Sequence, residues 1–249
     1  RAAEAGKAVF CEKPVDLDRA RVERCLEVVA RAGVPLFVAF NRRFDPEFSR
    51  LRAAMHDGAI GETEAVLITS LDPAPPPVAY IARSGGLFRD MMIHDFDMAR
   101  WLLGEEPVEV FARGACHVDP AIAAAGDVDT ATVTLTTASG RLAQIFNSRR
   151  SGYGYDQRIE VHGSKGMLQA GNRLEHTVSR WTEAGVTAAV PQHFFLERYM
   201  DAYRRELDAF IGAVETGAPV SPDGRDGLAA LVLADAAARS VETGAPVRL

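Results

Sequence analysis

The feature that most restricts the fold of this 249-residue chain is a pair of short apolar runs on either side of one amphipathic segment. Residues 7–11 and 36–40 are typical of buried strands, and apolar side chains recur at helical spacing between them. A strand, a helix and a strand joined by short links fold almost only as a right-handed parallel crossover. The sequence therefore predicts an α/β unit whose ligands lie at the carboxyl ends of its strands.

Charged side chains stand at both of these strand ends. Glu12 and Lys13 follow the first strand, where Pro14 stops the hydrogen-bond ladder, and Arg42 and Arg43 follow the second. A lysine in a turn usually faces solvent, and neighbouring arginines can simply cover the next helix. The position of Lys13 at the carboxyl edge of a buried strand favours a role in binding instead.

Residues 85–101 contain the clearest candidate site. The segment is predicted to be one helix, at about 100° per residue. One narrow face of that helix carries these side chains: Asp90, His94, Asp97 and Trp101. The opposite face carries apolar side chains at the same spacing: Met92, Phe96, Ala99 and Leu103. Ionisable groups are costly to bury unless they are paired or used, so the first face is predicted to line a cleft.

Three interpretations of that polar face remain open on the residues alone. Asp90 and His94, at i and i+4, are most often a solvated or mutually satisfied helix pair. With Asp97 they could also ligate one divalent metal ion. A third ionisable group on the same stripe, with Gly85 and Gly86 just before the helix, favours a functional site with perturbed titration.

The second half of the chain is predicted to form a large open sheet. Apolar residues 131, 133 and 135 alternate strictly with threonines, which is typical of a strand with one face wet or packed on a partner. Ser139-Gly140 and residues 163–166 fit hairpin turns, so most of the strands run antiparallel, and two helices close the chain. Because an open sheet needs covering, we expect a dimer or tetramer that associates through it.

The composition is that of an ordinary globular protein. The net charge of −6 gives no reason to expect a nucleic-acid or membrane partner. No apolar run reaches the length of a membrane span, and no signal peptide is visible. The three cysteines have neither metal-binding nor disulfide spacing, so we expect reduced thiols in a cytoplasmic protein.

Three features together resemble the Gfo/Idh/MocA family of oxidoreductases. They are Glu12-Lys13-Pro14 after a strand, a helix that begins Gly-Gly and carries Asp90-x-x-x-His94, and the mostly antiparallel sheet that follows. The triplet alone is moderately specific, and its combination with Asp-x-x-x-His in this order is strongly so. Similar segments at residues 41–45, 91–97 and 152–156 extend the resemblance through the whole chain.

The resemblance implies an α/β plus α+β enzyme of two domains that uses NAD. Residues 1–40 would be the C-terminal remnant, a strand–helix–strand, of an NAD-binding Rossmann domain. Residues 41–249 would be the substrate-binding and catalytic α+β domain, with its C-terminal helices able to pack back on the Rossmann part. The glycine-rich dinucleotide fingerprint is absent. We therefore expect that the chain lacks most of the Rossmann half and by itself binds NAD weakly or not at all.

The same resemblance implies the site residues. Lys13, Asp90 and His94 match the family's catalytic positions. The positions matched on the substrate side are these: Arg42, Asp72, Tyr155 and Tyr203. Asp97 is a further candidate for the substrate, because hydroxyls far from the reacting carbon need several fixed polar partners. The residues expected near the cofactor are these: Glu12, Lys13 and Arg42. No metal is expected, and Asp72 could equally be a plain turn carboxylate.

The expected reaction is NAD-dependent oxidation of myo-inositol, or of a closely related cyclic polyol, to the 2-keto sugar. His94 would accept the hydroxyl proton, Asp90 would fix the imidazole tautomer, and Lys13 would stabilise the developing alkoxide. Three alternatives are an NAD(P)-dependent dehydrogenase of another sugar, a non-catalytic sugar-sensing relative, and a metal-dependent hydrolase. The hydrolase would use Asp90, His94 and Asp97, and it leaves Lys13 without a role.

Overall fold

The α/β unit expected at the start of the chain is present in the computed structural model, which describes residues 1–249. It consists of β1 (Val9–Glu12), α1 (Arg19–Ala32) and β2 (Leu36–Ala39). The two strands pair in parallel over their whole lengths. Asp18 caps α1, since its carboxylate accepts a hydrogen bond from the amide of Arg21 at 3.1 Å. β1 therefore ends directly before Lys13, as the apolar run predicts.

The next segment carries the chain from β2 to the large sheet. A 3-10 turn (Asn41–Phe44) leads to α2 (Pro46–His56), and the Asp45 carboxylate caps this helix. β3 (Thr63–Leu71) follows and ends just before Asp72. Three helices come next: α3 (Val78–Ser84), α4 (Gly86–Asp90) and α5 (Ile93–Leu103).

Residues 85–101 form two helices, so the prediction of one continuous helix is wrong. α4 ends at Asp90, Met91 and Met92 form a turn, and α5 begins at Ile93. The spacing of Asp90 and His94 therefore does not place them on one helical face. The apolar side is confirmed, because four side chains are at most 1% exposed: Met92, Phe96, Ala99 and Leu103.

A seven-stranded sheet dominates the rest of the chain. The remaining elements are, in chain order, β4 (Pro107–Ala115), α6 (Pro120–Ala124), β5 (Thr130–Thr137), β6 (Leu142–Ser148), β7 (Asp156–Gly163), β8 (Gly166–Ala170), β9 (Ser179–Thr182), β10 (Gly185–Ala188), α7 (Phe195–Thr216), α8 (Gly224–Thr243) and β11 (Val247–Arg248). The strand order is β11–β4–β5–β6–β3–β7–β8, and only β3 and β6 are parallel neighbours. β9 and β10 form a separate hairpin that the sequence did not predict. The expected fold class, α/β plus α+β with a large, mostly antiparallel sheet, is confirmed.

Helices cover one face of this sheet and leave the other open. α5 packs on β3 and β6, and α8 packs on β4. The side chains on that face are buried, among them these: Val66, Ile68, Val133, Leu135 and Ile145. On the opposite face Leu67, Phe146 and Met167 are 38%, 37% and 45% exposed. The alternating threonines of β5 lie on this open face, as their pattern predicts.

The C-terminal helices pack back against the first α/β unit. The ring centroid of Phe210, on α7, lies 5.5 Å from that of Phe10 and 5.9 Å from that of Phe37. The amide of Val38 donates to the carbonyl of Pro222, just before α8, at 3.2 Å. None of the helices combines the length and the apolar character that a membrane span requires.

A buried ion pair joins α7 to α2. Arg198 and Asp45 are 1% and 0% exposed. The guanidinium donates two hydrogen bonds to the carboxylate, one of them from Nη2 to Oδ1 at 3.1 Å. Because the same carboxylate accepts the amides of Glu47 and Phe48, one side chain both caps α2 and pairs with α7.

Replacing Asp45 by asparagine tests the charge of this pair separately from the cap. Asparagine is as good an N-cap as aspartate, but it leaves the Arg198 guanidinium buried without a counter-charge. We expect Asp45→Asn to lower the free energy of unfolding, measured in urea, by about 3–5 kcal/mol. The control is Asp18→Asn at the exposed α1 cap, where the change should stay within about 0.5 kcal/mol. Equal effects of the two substitutions would contradict the ion-pair assignment.

Candidate active site

Lys13 and Asp90 meet where β1 ends. The Lys13 Nζ donates to the backbone carbonyl of Asp90 at 2.5 Å and lies 3.5 Å from the carboxylate Oδ1. The two side chains are 17% and 13% exposed. Burial lowers the pKa of Lys13 from its usual value, and the Asp90 carboxylate offsets part of that change. The structure thus holds an ammonium at the carboxyl edge of the parallel strands.

The Asp90 carboxylate does not pair with His94, which corrects the expected orienting contact. Its Oδ1 accepts a hydrogen bond from the Tyr80 hydroxyl at 2.9 Å, and its Oδ2 lies 3.6 Å from Nη2 of Arg149. The turn at residues 91–92 separates the two helices, so the i, i+4 geometry that would bring the carboxylate to the imidazole is lost. Asp90 is shared instead by Lys13, Tyr80 and Arg149.

His94 presents a neutral imidazole to the same site. Its ring packs edge-on against Phe40, with 6.1 Å between the ring centroids. Its Nδ1 is buried and has no hydrogen-bond partner. Burial, and then the charges of Lys13 and Arg42, lower the pKa of His94 well below its usual value. Lys13 donates to the carbonyl of Asp90, four residues before His94, and its positive charge acts on the imidazole.

Arg42 is a buried cation beside these groups. Its Nη1 donates to the Asp95 carboxylate, and its Nη2 donates to Ser70 Oγ at 3.1 Å. Asn147 donates to the other oxygen of Asp95 at 3.0 Å. Burial alone would lower the pKa of Arg42, but Asp95, and then Tyr199, Tyr155 and Asp72, together outweigh burial, and the pKa is raised. Arg42 is therefore permanently charged, and its charge contributes to the low pKa of Lys13.

Asp97 does not face the site, so its assignment as a substrate-binding residue is wrong. It is 0% exposed. Its oxygens accept hydrogen bonds from Nε and Nη2 of Arg43 at 2.8 and 2.6 Å, and Asp226 accepts a third from the same guanidinium at 2.9 Å. A carboxylate sealed in this cluster cannot reach a ligand. It also cannot join Asp90 and His94 in a metal site, and no group of three ligating side chains is arranged for a metal ion.

The other residues expected on the substrate side lie around Arg42. Asp72 follows β3, and burial raises its pKa to about 6 although two nearby arginines oppose the change. Tyr155 is 6% exposed, and burial raises its pKa well above the usual value. The charges of Asp72 and Arg42 both act on Tyr155. Tyr203, on α7, has its pKa raised to about 12 by burial and then by Glu12.

Glu12 lies on the α7 side of the site, near a second carboxyl group. Glu206 of α7 is 2% exposed, and its Oε2 has no hydrogen-bond partner. Burial, and then the charge of Glu12, raise the pKa of Glu206 to about 8. Burial likewise raises the pKa of Glu12. Glu206 is therefore mostly protonated at neutral pH, which relieves repulsion between the two groups.

The chain has side chains suited to the nicotinamide end of a dinucleotide, but its first strand–helix link does not suit the pyrophosphate. Lys13 and the unpartnered imidazole of His94 lie where β1 and β2 end, and this edge of a parallel sheet is the usual place for a cofactor. Glu12 borders the same edge, and Arg42 lies behind it in its pair with Asp95. The link from β1 to α1, residues 13–18, contains no glycine that would let phosphates approach the backbone.

Sequence reasoning missed the partners of the site residues. Asp95 left a usable signal, because two adjacent arginines at 42 and 43 need two carboxylates, and aspartates stand at 95 and 97. Tyr80 and Arg149 left none. Tyr80 lies in α3 and Arg149 directly follows β6, and only the folded chain brings both to Asp90.

Known proteins are similar to this chain in both sequence and fold. Residues 48–169 match the model of the GFO/IDH/MocA C-terminal domain. The chain is 59% identical over 241 residues to the inositol 2-dehydrogenase of Rhizobium meliloti (strain 1021), and the match covers 97% of this chain and 73% of that protein.

Solved structures superpose closely. The myo-inositol dehydrogenase from Corynebacterium glutamicum gives a TM-score of 0.95 at 45% identity, covering 100% of this chain and 75% of that one. The scyllo-inositol dehydrogenase from Lactobacillus casei, with bound NAD(H) and scyllo-inositol, gives 0.90 at 30% identity, covering 99% and 74%. The family model, the identity along nearly the whole chain and the shared fold establish that this chain belongs to the GFO/IDH/MocA family of oxidoreductases.

Proposed function

We propose that this chain supplies the substrate side of an NAD-dependent dehydrogenase that oxidises myo-inositol, or a closely related cyclic polyol, to the 2-keto sugar. The observation that carries the proposal is the hydrogen bond from Lys13 to the Asp90 carbonyl, which brings the ammonium to the start of α5, where His94 is the second residue. An ammonium beside a neutral imidazole suits the removal of a hydroxyl proton. The inositol dehydrogenases to which the chain is similar support this choice of substrate.

His94 is the group that accepts the hydroxyl proton. Because its Nδ1 is buried without a partner, Nε2 is the nitrogen available to the substrate. Its lowered pKa keeps the imidazole neutral at pH 7 and favours release of the proton after the reaction. Packing against Phe40 orients the ring in place of the hydrogen bond expected from Asp90.

Lys13 stabilises the negative charge that develops on the reacting oxygen. Its ammonium donates a hydrogen bond to that oxygen, and the interaction strengthens as the hydroxyl becomes an alkoxide. Asp90 opposes the effect of burial on the pKa of Lys13 and so helps to keep the ammonium charged. The remaining hydroxyls of the polyol bind to Asp72 and Tyr155, with Arg42 and Tyr203 next to them.

The hydride needs a cofactor because no side chain accepts one, and bound NAD supplies the acceptor. Glu12 and Lys13 border the place of its nicotinamide end, with Arg42 behind them. Residues 1–40 then form the trailing part of an NAD-binding domain, and residues 41–249 form the substrate domain. The separation of the β1–β2 pair from the seven-stranded sheet supports this division.

A second copy of the chain covers the open face of the sheet. Phe146 lies at the centre of that face, between Thr69 of β3 and Thr132 of β5 in the strand register. With Leu67 on the adjacent strand and Met167 farther along the same face, the exposed Phe146 ring makes this face more apolar than a solvated sheet face needs to be. The protein works in the cytoplasm, which its three unpaired cysteines support.

Replacing His94 tests the assignment of the base. In the full-length protein that carries this sequence, we expect His94→Gln to lower kcat/KM for myo-inositol by about 10²–10⁴-fold, because proton removal loses its acceptor. NADH formation, followed by absorbance, measures the rate. The control is His56→Gln, which removes a histidine whose side chain is 85% exposed and should leave the rate unchanged. An unchanged kcat/KM in His94→Gln would refute the assignment.

The pKa of Asp72 predicts a pH-dependent KM. Burial raises this pKa to about 6, so the carboxylate loses its charge as the pH falls through about 6. A neutral carboxyl is a weaker acceptor for a substrate hydroxyl, so KM for myo-inositol should rise over that interval. In Asp72→Asn we expect a KM that is high at every pH. A wild-type KM that stays constant between pH 7 and pH 5 would contradict this role.

A charge on the open sheet tests self-association. We expect Phe146→Glu to shift the protein to a smaller assembly, measured by light scattering, because burying the new carboxylates would be costly. The control is Val178→Glu, a similar change at a residue that is 69% exposed and off the sheet. An assembly of unchanged mass in Phe146→Glu would argue against association through this face.

A further inference from the structure

Arg149 is buried, and its charged guanidinium makes almost no hydrogen bonds. Its side chain is 1% exposed, and neither Nε nor Nη2 has a hydrogen-bond partner. A buried guanidinium needs compensating charge nearby. Its Nη2 lies 3.6 Å from Oδ2 of Asp90 and 3.9 Å from Oδ2 of Asp127. Arg149 is therefore held between two carboxylates, one of which also contacts Lys13.

These two carboxylates mark the two ends of α4. Asp127 accepts the amide of Leu87, in the first turn of the helix, with both oxygens at 3.0 and 3.1 Å. Asp90 is the last residue of the helix. The amide of Arg149 donates to the carbonyl of Asp129 at 2.8 Å, which fixes the arginine to the sheet. Arg149 thus ties the position of α4, and with it Asp90, to the end of β6.

Tyr80 holds the other oxygen of Asp90. Its hydroxyl donates to Oδ1 at 2.9 Å, on the oxygen that also lies 3.5 Å from the Lys13 ammonium. The tyrosine itself is 47% exposed, so this contact does not belong to the packed core. Oδ1 of Asp90 therefore contacts Tyr80 and Lys13, while Oδ2 contacts Arg149.

We propose that Arg149 and Tyr80 are positioning residues that share the Asp90 carboxylate and so leave the Lys13 ammonium free to face the substrate. The proposal rests on the dehydrogenase function proposed above. A carboxylate without these two donors would move closer to the ammonium than the present 3.5 Å and strengthen their ion pair. Lys13 would then be drawn from the substrate oxygen toward Asp90, and kcat would fall more than substrate binding.

The charges around Lys13 fix the direction of the effect on its pKa. Asp90 and Glu12 favour the ammonium, Arg42 opposes it, and His94 is neutral beside it. Asp90 in turn faces Lys13, Tyr80, Arg149 and Asp72. Removing Arg149 or the Tyr80 hydroxyl leaves more of the Asp90 charge to Lys13. The pKa of Lys13 rises, and the alkaline limb of kcat, where Lys13 loses its proton, moves to higher pH.

The first test removes only the Tyr80 hydroxyl. In the full-length protein we expect Tyr80→Phe to lower kcat for myo-inositol by about tenfold, with KM nearly unchanged and the alkaline limb at higher pH. The control is Tyr153→Phe, because Tyr153 is 49% exposed and donates to Asp156 at 2.6 Å. The Tyr153→Phe variant loses an equivalent hydrogen bond to a carboxylate that does not contact Asp90. It should leave the alkaline limb of kcat at the wild-type pH.

The second test compares two replacements of Arg149. Arg149→Met should lower kcat by about 10–100-fold. It should also shift the alkaline limb of the kcat–pH profile upward by about one pH unit. Arg149→Lys should restore kcat to within about threefold, because the contact uses one nitrogen and needs charge more than a planar fork. A rise in KM at constant kcat would assign Arg149 to direct substrate contact and overturn the proposal. If Arg149→Met does not fold, Tyr80→Phe alone decides.

Acetylation of lysines across a pH series reports the pKa of Lys13 without turnover. Mass spectrometry compares Lys13 with the exposed Lys165 in each protein. The proposal requires the Lys13 titration to move upward in Tyr80→Phe, and an unmoved titration overturns it. If the wild-type protein forms no NADH from myo-inositol, the proposed function is contradicted. If the pKa of Lys13 is nevertheless higher in Tyr80→Phe than in the wild type, the positioning role is still supported.

Discussion

Two buried arginine–aspartate pairs hold the site together. Arg42 contacts Asp95 and Arg43 contacts Asp97, and the four side chains are at most 7% exposed. Charges at this depth persist only as pairs, since the loss of one partner leaves the other uncompensated. The pairs fix the 3-10 turn after β2 against α5. Because β1 is hydrogen-bonded to β2 in parallel, the same contacts bring Lys13 to the end of α4 and the start of α5.

Burial and neighbouring charges give each titratable group of the site its own protonation state. Burial and two cations keep His94 neutral, whereas burial raises the pKa of Asp72 to about 6 and leaves it mostly ionised at pH 7. Burial also lowers the pKa of Lys13, which makes proton exchange easier than at a surface lysine. One low-dielectric environment therefore gives a base, an acceptor of substrate hydroxyls and a hydrogen-bond donor distinct protonation states.

Periodic patterns made the fold predictable, and the lack of a pattern explains what was missed. The parallel strands and the threonine strand follow from repeats set by backbone geometry, and the structure has both. The turn at Met91 and Met92 contains neither glycine nor proline, so periodicity extended one helix across it. Lys13 and His94 could be located from local sequence. Arg149 could not, because its partners come from other elements.

Asp97 and His94 lie on one helix, and hydrogen-bond saturation is what distinguishes their roles. In the Asp97 cluster both oxygens accept hydrogen bonds from Arg43, and Asp226 completes the set. The buried Nδ1 of His94, by contrast, has no hydrogen-bond partner. Native proteins seldom leave such atoms unpaired. The Asp97 carboxylate is therefore saturated within the protein, whereas Nε2 of His94 stays available for a hydroxyl group of the proposed polyol.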